Sequence, residues 1–194
     1  MAGFPASGHD GAVGQVIYAT SASLDGYVAD RQGTLDWLDG LDHDPAGPGG
    51  FAEIDARAGA MVMGRATHDW VAGALERTGD PWPHRQPCWV RTRRPLDRPI
   101  PGADLRVADG SAAAAVTELR RIAGDADVWC VGGGRTASWL LDAGLLDEMW
   151  VTVAPVVLGG GVPLLAGPAS LELREVARNG AFAVVRYRVL DATP

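Results

Sequence analysis

Lysine is absent from this sequence: all 17 basic residues among the 194 are arginine. Catalysis through a lysine Schiff base is therefore excluded. A P-loop is excluded as well, because it needs a Gly-Lys-Ser or Gly-Lys-Thr sequence. Basic residues are also outnumbered, since the formal net charge is −7 at pH 7. That charge argues against nucleic acid or an anionic membrane as the main partner.

Cysteine and long apolar runs are also scarce. The two cysteines, Cys88 and Cys130, lie in separate apolar runs. They form neither a metal-binding nor a disulfide pattern, so we expect no metal site and a reducing cytoplasmic location. No apolar run approaches the length of a membrane span. Residues 1–14 lack the basic start and apolar block of a signal peptide, and we expect them to form a loose tail.

The remainder, residues 15–191, has the composition of one globular domain, with 47% hydrophobic and 21% charged residues in the whole chain. Short apolar runs alternate with helical patterns, which predicts an α/β fold. We expect Thr67 and Ser111 to be helix N-caps, and the closing segments to form a hairpin around Asn179-Gly180. Strands are predicted at 15–21, 60–63, 88–92, 105–108, 127–131, 148–158, 172–177 and 182–190, and helices at 51–58, 67–75, 112–123 and 136–143.

This alternation predicts a mostly parallel central sheet with helices on both faces and an antiparallel edge formed by the C-terminal hairpin. The strand at 148–158 is a continuous apolar run, which suggests burial on both of its faces.

A glycine turn, Gly132-Gly133-Gly134, joins a predicted strand to a predicted helix. Glycines let phosphate groups approach the backbone, and the N–H groups at the start of the next helix then face the anion. The residues also satisfy the pattern G-x-G-x-x-A. An ordinary Rossmann fold does not fit, because the glycines follow several strands and the next strand ends at Val156-Val157-Leu158 without a carboxylate. The turn indicates a different nucleotide-binding fold.

Four segments, in this order and spacing, resemble the dihydrofolate reductase superfamily. The resemblance is strongest to the branch built on the C-terminal reductase domain of riboflavin biosynthesis. It implies a single-domain, three-layer α/β fold and an NADPH-dependent reductase that transfers a hydride to a small heterocyclic substrate. It also implies a homodimer. The four segments are residues 18–29, 61–67, 131–148 and 151–161.

The resemblance also implies which residues bind NADPH. The arginines among them suit the 2′-phosphate, because a guanidinium binds phosphate oxygens with two parallel hydrogen bonds. The implied cofactor-binding residues are Ala19, Gly64, Arg65, Thr67, Thr92, Arg93, Arg94, Val131, Gly132, Gly133, Gly134, Arg135 and Thr136.

Hydride transfer also needs a proton donor, usually a carboxylic acid or a water that it orients. The carboxylic acids considered are Asp25, Asp36, Asp42, Asp44, Glu53 and Asp55, of which we assign Asp25 and Asp36 as catalytic candidates. The resemblance suggests Ser21, Trp37 and Thr152 as substrate contacts.

The sequence departs from both patterns of the superfamily. Where dihydrofolate reductases carry an acid early in the helix before Met-Gly-Arg, this chain has Gly47-Pro48. The riboflavin branch typically has lysine and glutamate at the positions of Tyr27 and Val131. Two alternatives to a riboflavin-type reductase therefore stay open: dihydrofolate reductase activity, and an NADPH-binding module without catalysis.

Overall fold

The computed structural model describes residues 14–191, which form one domain. The predicted tail at 1–14 lies outside this range except for Gly14. This glycine is buried, and a Cβ on it would lie 1.8 Å from the carbonyl oxygen of Ala126.

Within residues 14–191 the chain alternates strands and helices. The helices are α1 (Phe51–Arg57), α2 (Arg65–Thr78), α3 (Ala112–Ala123) and α4 (Gly134–Leu141), with a 3-10 helix at Asp36–Leu38. The strands are β1 (Val16–Ser23), β2 (Tyr27–Ala29), β3 (Ala58–Gly64), β4 (Cys88–Arg91), β5 (Leu105–Ala108), β6 (Asp127–Val131), β7 (Glu148–Ala154), β8 (Val162–Pro163), β9 (Ser170–Asn179) and β10 (Phe182–Asp191).

Eight strands form the central sheet in the order β5-β4-β3-β6-β1-β7-β10-β9. The first six are parallel, and the hairpin of β9 and β10 joins β7 in antiparallel orientation. The predicted fold, a mostly parallel sheet with an antiparallel hairpin at its edge, is confirmed. The register sets Met63, Val131 and Ala19 side by side across β3, β6 and β1. The carboxyl ends of these strands therefore meet at one edge of the sheet.

Helices pack on both faces of the sheet, as predicted. Leu119 of α3 and Leu140 of α4 are buried in one core. Ile54 of α1 is buried on the opposite face against Met61 and Trp129. None of the helices in residues 14–191 combines the length and apolar character that a membrane span needs.

The helix starts predicted from the sequence are only partly confirmed. Ser111 caps α3 as predicted, because its hydroxyl accepts a hydrogen bond from the Ala114 amide at 3.2 Å. The prediction of Thr67 as an N-cap is wrong. The strand β3 runs directly into α2, so Gly64 is the N-cap and Thr67 lies inside the first turn. Likewise α4 begins at Gly134 and not at residue 136.

The strand predicted at 148–158 is too long, because β7 ends at Ala154. Pro155 follows, and proline cannot donate a ladder hydrogen bond. The segment that follows is a loop in which Val157 is 67% exposed, so burial on both faces does not extend beyond β7. The pair of β2 and β8 was not predicted, since strands of three and two residues leave little periodicity to read.

Asp127 joins three elements at the amino edge of the sheet. Its carboxylate accepts the amide of Gln15 at 2.9 Å and the Arg57 guanidinium at 2.8 and 2.7 Å. The Asp127 side chain is 4% exposed, whereas that of Arg57 is 26% exposed. This buried pair therefore links the start of β1, the end of α1 and the start of β6.

We expect Asp127→Ala to lower the free energy of unfolding by about 3 kcal/mol, because it leaves a mostly buried guanidinium without its carboxylate. Urea denaturation at pH 7 measures the change. The matched control is Asp104→Ala, which removes the carboxylate of the exposed Arg106–Asp104 pair. This control should leave the free energy of unfolding nearly unchanged, and an equal loss in both variants would contradict the assigned role of Asp127.

Candidate functional site

Two helix N-termini lie side by side at the carboxyl edge of the sheet. The neighbouring strands β3 and β6 end at Gly64 and Val131, and each leads into a helix. The N-caps, Gly64 for α2 and Gly133 for α4, provide no side-chain hydrogen bond, and neither first turn contains an acidic residue. The first amides of both helices therefore lack the side-chain acceptor that usually caps them.

Glycine and threonine hold the two N-termini together by reciprocal contacts. A Cβ on Gly132 or Gly133 would lie 3.1 Å from the Thr67 side chain of α2. A Cβ on Gly64 would lie 2.7 Å from the Thr136 hydroxyl of α4. Gly132 and Gly133 also have φ of +58° and +51°, which a residue with a side chain adopts at a cost. Each helix start therefore packs against the glycine that precedes the other.

The proximity of these N-termini creates a positive potential. Each helix carries about half a positive charge at its first turn, and an anion there gains roughly 0.3–1 kcal/mol per helix. Two helix starts at one edge, with bare glycine backbone between them, are suited to phosphate groups. The predicted cofactor residues Gly64, Thr67, Gly132 and Gly133 thus lie next to one another at this edge, whereas Gly134 and Thr136 are buried.

Arg65, which we predicted to bind the cofactor, contacts carboxylates of its own chain. Its guanidinium donates to Asp69 at 2.7 and 2.9 Å, to the Pro95 carbonyl at 2.8 Å and to Asp97. Hydrogen bonds from the two carboxylates raise the pKa of Arg65, with Asp69 contributing most. Because its charge is already paired, Arg65 adds little to the attraction of a phosphate.

Three other predicted arginines keep their charge available at this edge. Arg93, Arg94 and Arg135 are exposed, and no ion pair joins their guanidinium groups to a carboxylate within residues 14–191. Thr92 is nearly buried, and its hydroxyl accepts the Arg94 amide at 3.1 Å, which shapes the turn after β4. The neighbouring Arg91 stacks on Trp139 of α4 at 4.9 Å.

The predicted substrate contacts Ser21 and Thr152 are direct neighbours on β1 and β7. Thr152 donates its hydroxyl hydrogen to the carbonyl oxygen of Gly49 at 3.1 Å. Gly49 belongs to a loop that Asn179 anchors through the backbone of Asp44 and Pro48. The backbone of this loop therefore occupies the region that precedes α1, where the superfamily has its acid.

The catalytic candidate Asp36 and the substrate candidate Trp37 belong to the 3-10 helix. Asp36 is exposed. The indole N–H of Trp37 is buried and has no acceptor among residues 14–191. A buried donor of this kind normally has a partner, so Trp37 can donate to a bound molecule. The catalytic assignment of Asp36 stays a prediction.

Asp25, the other catalytic candidate, fastens a loop. Its carboxylate accepts the Ser23 hydroxyl at 2.7 Å and the amides of Leu158 and Gly159 at 3.0 and 2.7 Å. These hydrogen bonds, that of Ser23 first, lower the pKa of Asp25 below its usual value. A carboxylate held ionised in this way is a poor proton donor, although its catalytic assignment stays a prediction.

One group of side chains on the α1 face of the sheet was not predicted as a site. We call it the α1-face cluster: Phe51, Trp82, His84 and Trp129. Asp55, one of the carboxylic acids considered as a proton donor, contacts this cluster through His84. A histidine two residues after Trp82 in the Pro-rich connection at 81–87 was the available signal. Within residues 14–191, no three His, Cys, Asp or Glu side chains are placed to hold a metal ion.

This fold and its glycine-lined edge define a reductase-like domain. The family model of the RibD C-terminal domain matches residues 15–181, and the chain belongs to that family. The relatives include the uncharacterized protein YwjB of Bacillus subtilis (strain 168), 27% identical over 89% of this chain and 95% of YwjB. The uncharacterized protein YyaP of the same organism is 26% identical over 77% of this chain and 79% of YyaP.

Solved structures agree on the fold. A candidate riboflavin biosynthesis protein from Shewanella sp. PV-4 superposes with a TM-score of 0.75 at 27% identity, covering 91% of this chain and 99% of that one. A deaminase and 5-amino-6-(5-phosphoribosylamino)uracil reductase from Thermotoga maritima gives a TM-score of 0.61 at 16% identity. This match covers 91% of the present chain but 57% of the bifunctional protein, and at that identity it shows the fold alone.

We expect Asp25→Asn to release the loop at 158–159, because a carboxamide has one acceptor oxygen and turns its NH2 group toward an amide donor. Hydrogen exchange at the amides of Leu158 and Gly159 should become several-fold faster at pH 7. The lowered pKa means that the ionised clamp stabilises the fold above the unfolded-state pKa and is lost as pH falls through the folded-state pKa. The difference between wild type and variant should therefore vanish in acid.

Asp30→Asn is the control for this exchange experiment. Asp30 also has a lowered pKa, but it accepts hydrogen bonds from Thr34 and Gln32 in its own turn. Its replacement should leave exchange at Leu158 and Gly159 unchanged. Equal exchange in wild type and Asp25→Asn at neutral pH would disprove the clamp.

Proposed function

We propose that this protein is an NADPH-dependent reductase that transfers a hydride to a small heterocyclic substrate. The observation that carries the proposal is the pair of glycine-capped helix N-termini at the carboxyl edge. Glycine precedes both helices, and their first turns contain neither a side-chain cap nor an acidic residue. A dinucleotide pyrophosphate matches this surface in charge and in the space it needs.

The residues present fit the cofactor. The backbone at Gly64, Gly132 and Gly133 would hold the pyrophosphate, with Thr67 supplying a hydroxyl group beside it. Gly134 and Thr136 are buried and would support this backbone from within. NADPH supplies the hydride when it is bound. The chain contributes the binding surface, the orientation of the two reactants and the exclusion of water. Ala19 and Val131, side by side on β1 and β6, would border the reactive end of the cofactor.

Arg93, Arg94 and Arg135 support a preference for NADPH over NADH. NADPH differs from NADH by a 2′-phosphate, and guanidinium groups without an ion pair bind phosphate most strongly. Arg65 is the least suited of the four predicted arginines, because Asp69 and Asp97 already neutralise it.

The substrate class that fits best is a planar nitrogen heterocycle such as a pyrimidine or pterin. A solved relative, the candidate riboflavin biosynthesis protein from Shewanella sp. PV-4, supports a riboflavin-type ring. Dihydrofolate is the alternative substrate. A module that binds NADPH without catalysis is the alternative of another class. The latter would bind NADPH and consume none of it with either ring.

Homodimer formation and a cytoplasmic location are part of the proposal. Beside α4, the sheet presents an apolar face that includes Val153, Val185 and Tyr187, and Leu173 and Val176 of β9 are 54% and 61% exposed. A second copy suits this surface, because a face formed by these uncharged side chains meets itself without like-charge repulsion. The two cysteines are buried free thiols, which agrees with a reducing compartment.

We expect Gly133→Val to weaken NADPH binding by well over tenfold, which corresponds to about 1.4 kcal/mol or more. The new side chain would press on the Thr67 hydroxyl and cover the amides that face the phosphates. The control is Gly144→Val, since Gly144 has a similar φ of +66° but open space around it. It should bind NADPH as wild type does. Calorimetric titration measures both, and unchanged affinity in a folded Gly133→Val protein would remove this turn from the site.

We expect the double variant Arg93→Ala/Arg94→Ala to lose roughly tenfold or more in NADPH affinity, because a charge-assisted hydrogen bond contributes about 1.5–3 kcal/mol. NADH affinity should change little. Arg77→Ala is the control, because Arg77 lies in the last turn of α2, about 20 Å from its first turn. Wild-type protein that binds NADH and NADPH equally would contradict the role of these arginines.

A further inference from the structure

His84 and Asp55 form a hydrogen-bonded pair that the binding surface does not use. The Nδ1 atom of His84 lies 2.5 Å from a carboxylate oxygen of Asp55. An ionised carboxylate only accepts hydrogen bonds, so Nδ1 carries the hydrogen and Nε2 is the atom left to exchange a proton. No hydrogen bond from residues 14–191 reaches Nε2, and the side chain is 17% exposed.

This pair is held in place from both sides. The side-chain amide of Gln86 donates to the Asp55 carbonyl at 2.6 Å, and the Pro87 carbonyl accepts the Met61 amide at 2.9 Å. The imidazole packs edge-on against Trp82 and Trp129, with ring centres 4.8 and 5.2 Å apart. His84 is therefore fixed against the sheet although it belongs to a connection without regular structure.

The α1-face cluster lies close to the glycine-lined edge. Trp129 is two residues before the end of β6, and its indole N–H donates to the Ala19 carbonyl at 3.3 Å, which directs the ring toward the carboxyl edge. Phe51 packs on Trp129 at 5.7 Å and is still 52% exposed. The indole N–H of Trp82 is buried without an acceptor in residues 14–191. The exposed aromatic surface of Phe51 suits a planar ring.

The other acids on and around α1 are already paired with arginine side chains. Glu53 is bound by the Arg186 guanidinium, which also stacks on Trp150 at 4.0 Å. Arg57 of the same helix is paired with Asp127. Among the charged residues of the elements that pack on His84, Asp55 is the one in contact with its ring, and Arg85 beside it is exposed.

We propose that His84 is the proton donor of the reduction and that Asp55 is its positioning residue. This inference rests on the proposed reductase function and deepens it. A hydride adds to the electrophilic carbon of a C=N or C=O bond in the heterocycle. The π electrons move to the nitrogen or oxygen, and that atom takes the proton from Nε2 as the Nε2–H bond breaks.

Electrons and protons balance in this step. The substrate gains two electrons and two hydrogens, NADPH becomes NADP⁺, and His84 is left as a neutral imidazole. Water returns the proton to Nε2 at the exposed edge of the ring. Asp55 stabilises the protonated imidazole and keeps Nε2 directed away from α1.

The test uses the full chain with saturating NADPH and two probes, 5-amino-6-(5-phosphoribosylamino)uracil and dihydrofolate. His84→Gln should lower kcat by about 100-fold or more, the usual contribution of general acid catalysis, and should leave NADPH affinity within twofold. Asp55→Asn should lower kcat by a smaller factor, with Asp55→Glu recovering part of the rate.

His43→Gln is the matched control, because His43 is an exposed histidine that packs on Phe182 away from the cluster. It should leave kcat unchanged. Nitrogen-15 NMR of the cofactor-free protein gives a readout independent of turnover. His84 should be protonated on Nδ1 in wild type at high pH and should shift toward the other tautomer in Asp55→Asn.

The outcomes separate the two proposals. Turnover by wild type together with an unchanged kcat in His84→Gln would overturn the role of His84 and leave the reductase function standing. Binding of NADPH with no turnover of either probe by wild type would overturn both. A His84 ring protonated on Nε2 in wild type would overturn the positioning role of Asp55.

Discussion

The architecture of the site depends on the contact between two helix N-termini at the carboxyl edge of the sheet. Thr67 packs on the glycines before α4, and Thr136 packs on the glycine before α2. This contact requires glycine on both sides, and it brings two positive helix ends together without a carboxylate in either first turn. The electrostatic cost of that arrangement is offset when an anion binds. The same geometry that packs the helices therefore supports the proposal that this edge binds a phosphate-bearing ligand.

The sheet could be predicted because its strands are short runs of β-branched and aromatic residues between helical patterns. The bounds of β5, β6 and α3 agree with the sequence, since Ser111 caps α3 and Gly110 and Gly132 border the elements on either side. The junctions at Gly64 and Gly133 were misplaced by two residues. Side-chain caps are the usual sequence signal for a helix start, and these two helices begin without one.

The parts of the candidate site that are formed by residues close together in the sequence could be predicted. The parts formed by residues far apart in the sequence could not. The glycine turn and Thr67 were assigned to the cofactor from local motifs, and the structure brings them together. Arg65 is neutralised first by Asp69 in the same helix, and Asp97, 32 residues away, adds a second carboxylate. The pairing of His84 with Asp55 spans 29 residues. No periodicity specifies such pairs, since they arise only when α2 and the Pro-rich connection return across the sheet.

The departure from the superfamily before α1 and the presence of the His84–Asp55 pair have a common physical basis. Near Gly47-Pro48 the chain presents backbone carbonyls, and Asn179 and Thr152 satisfy those of Pro48 and Gly49. Carbonyl groups accept hydrogen bonds but supply no proton. A reduction at this face therefore needs its proton from further along α1. Asp55 is one turn beyond Phe51, the first residue of α1, and the imidazole it holds packs on the same Trp129 ring as Phe51.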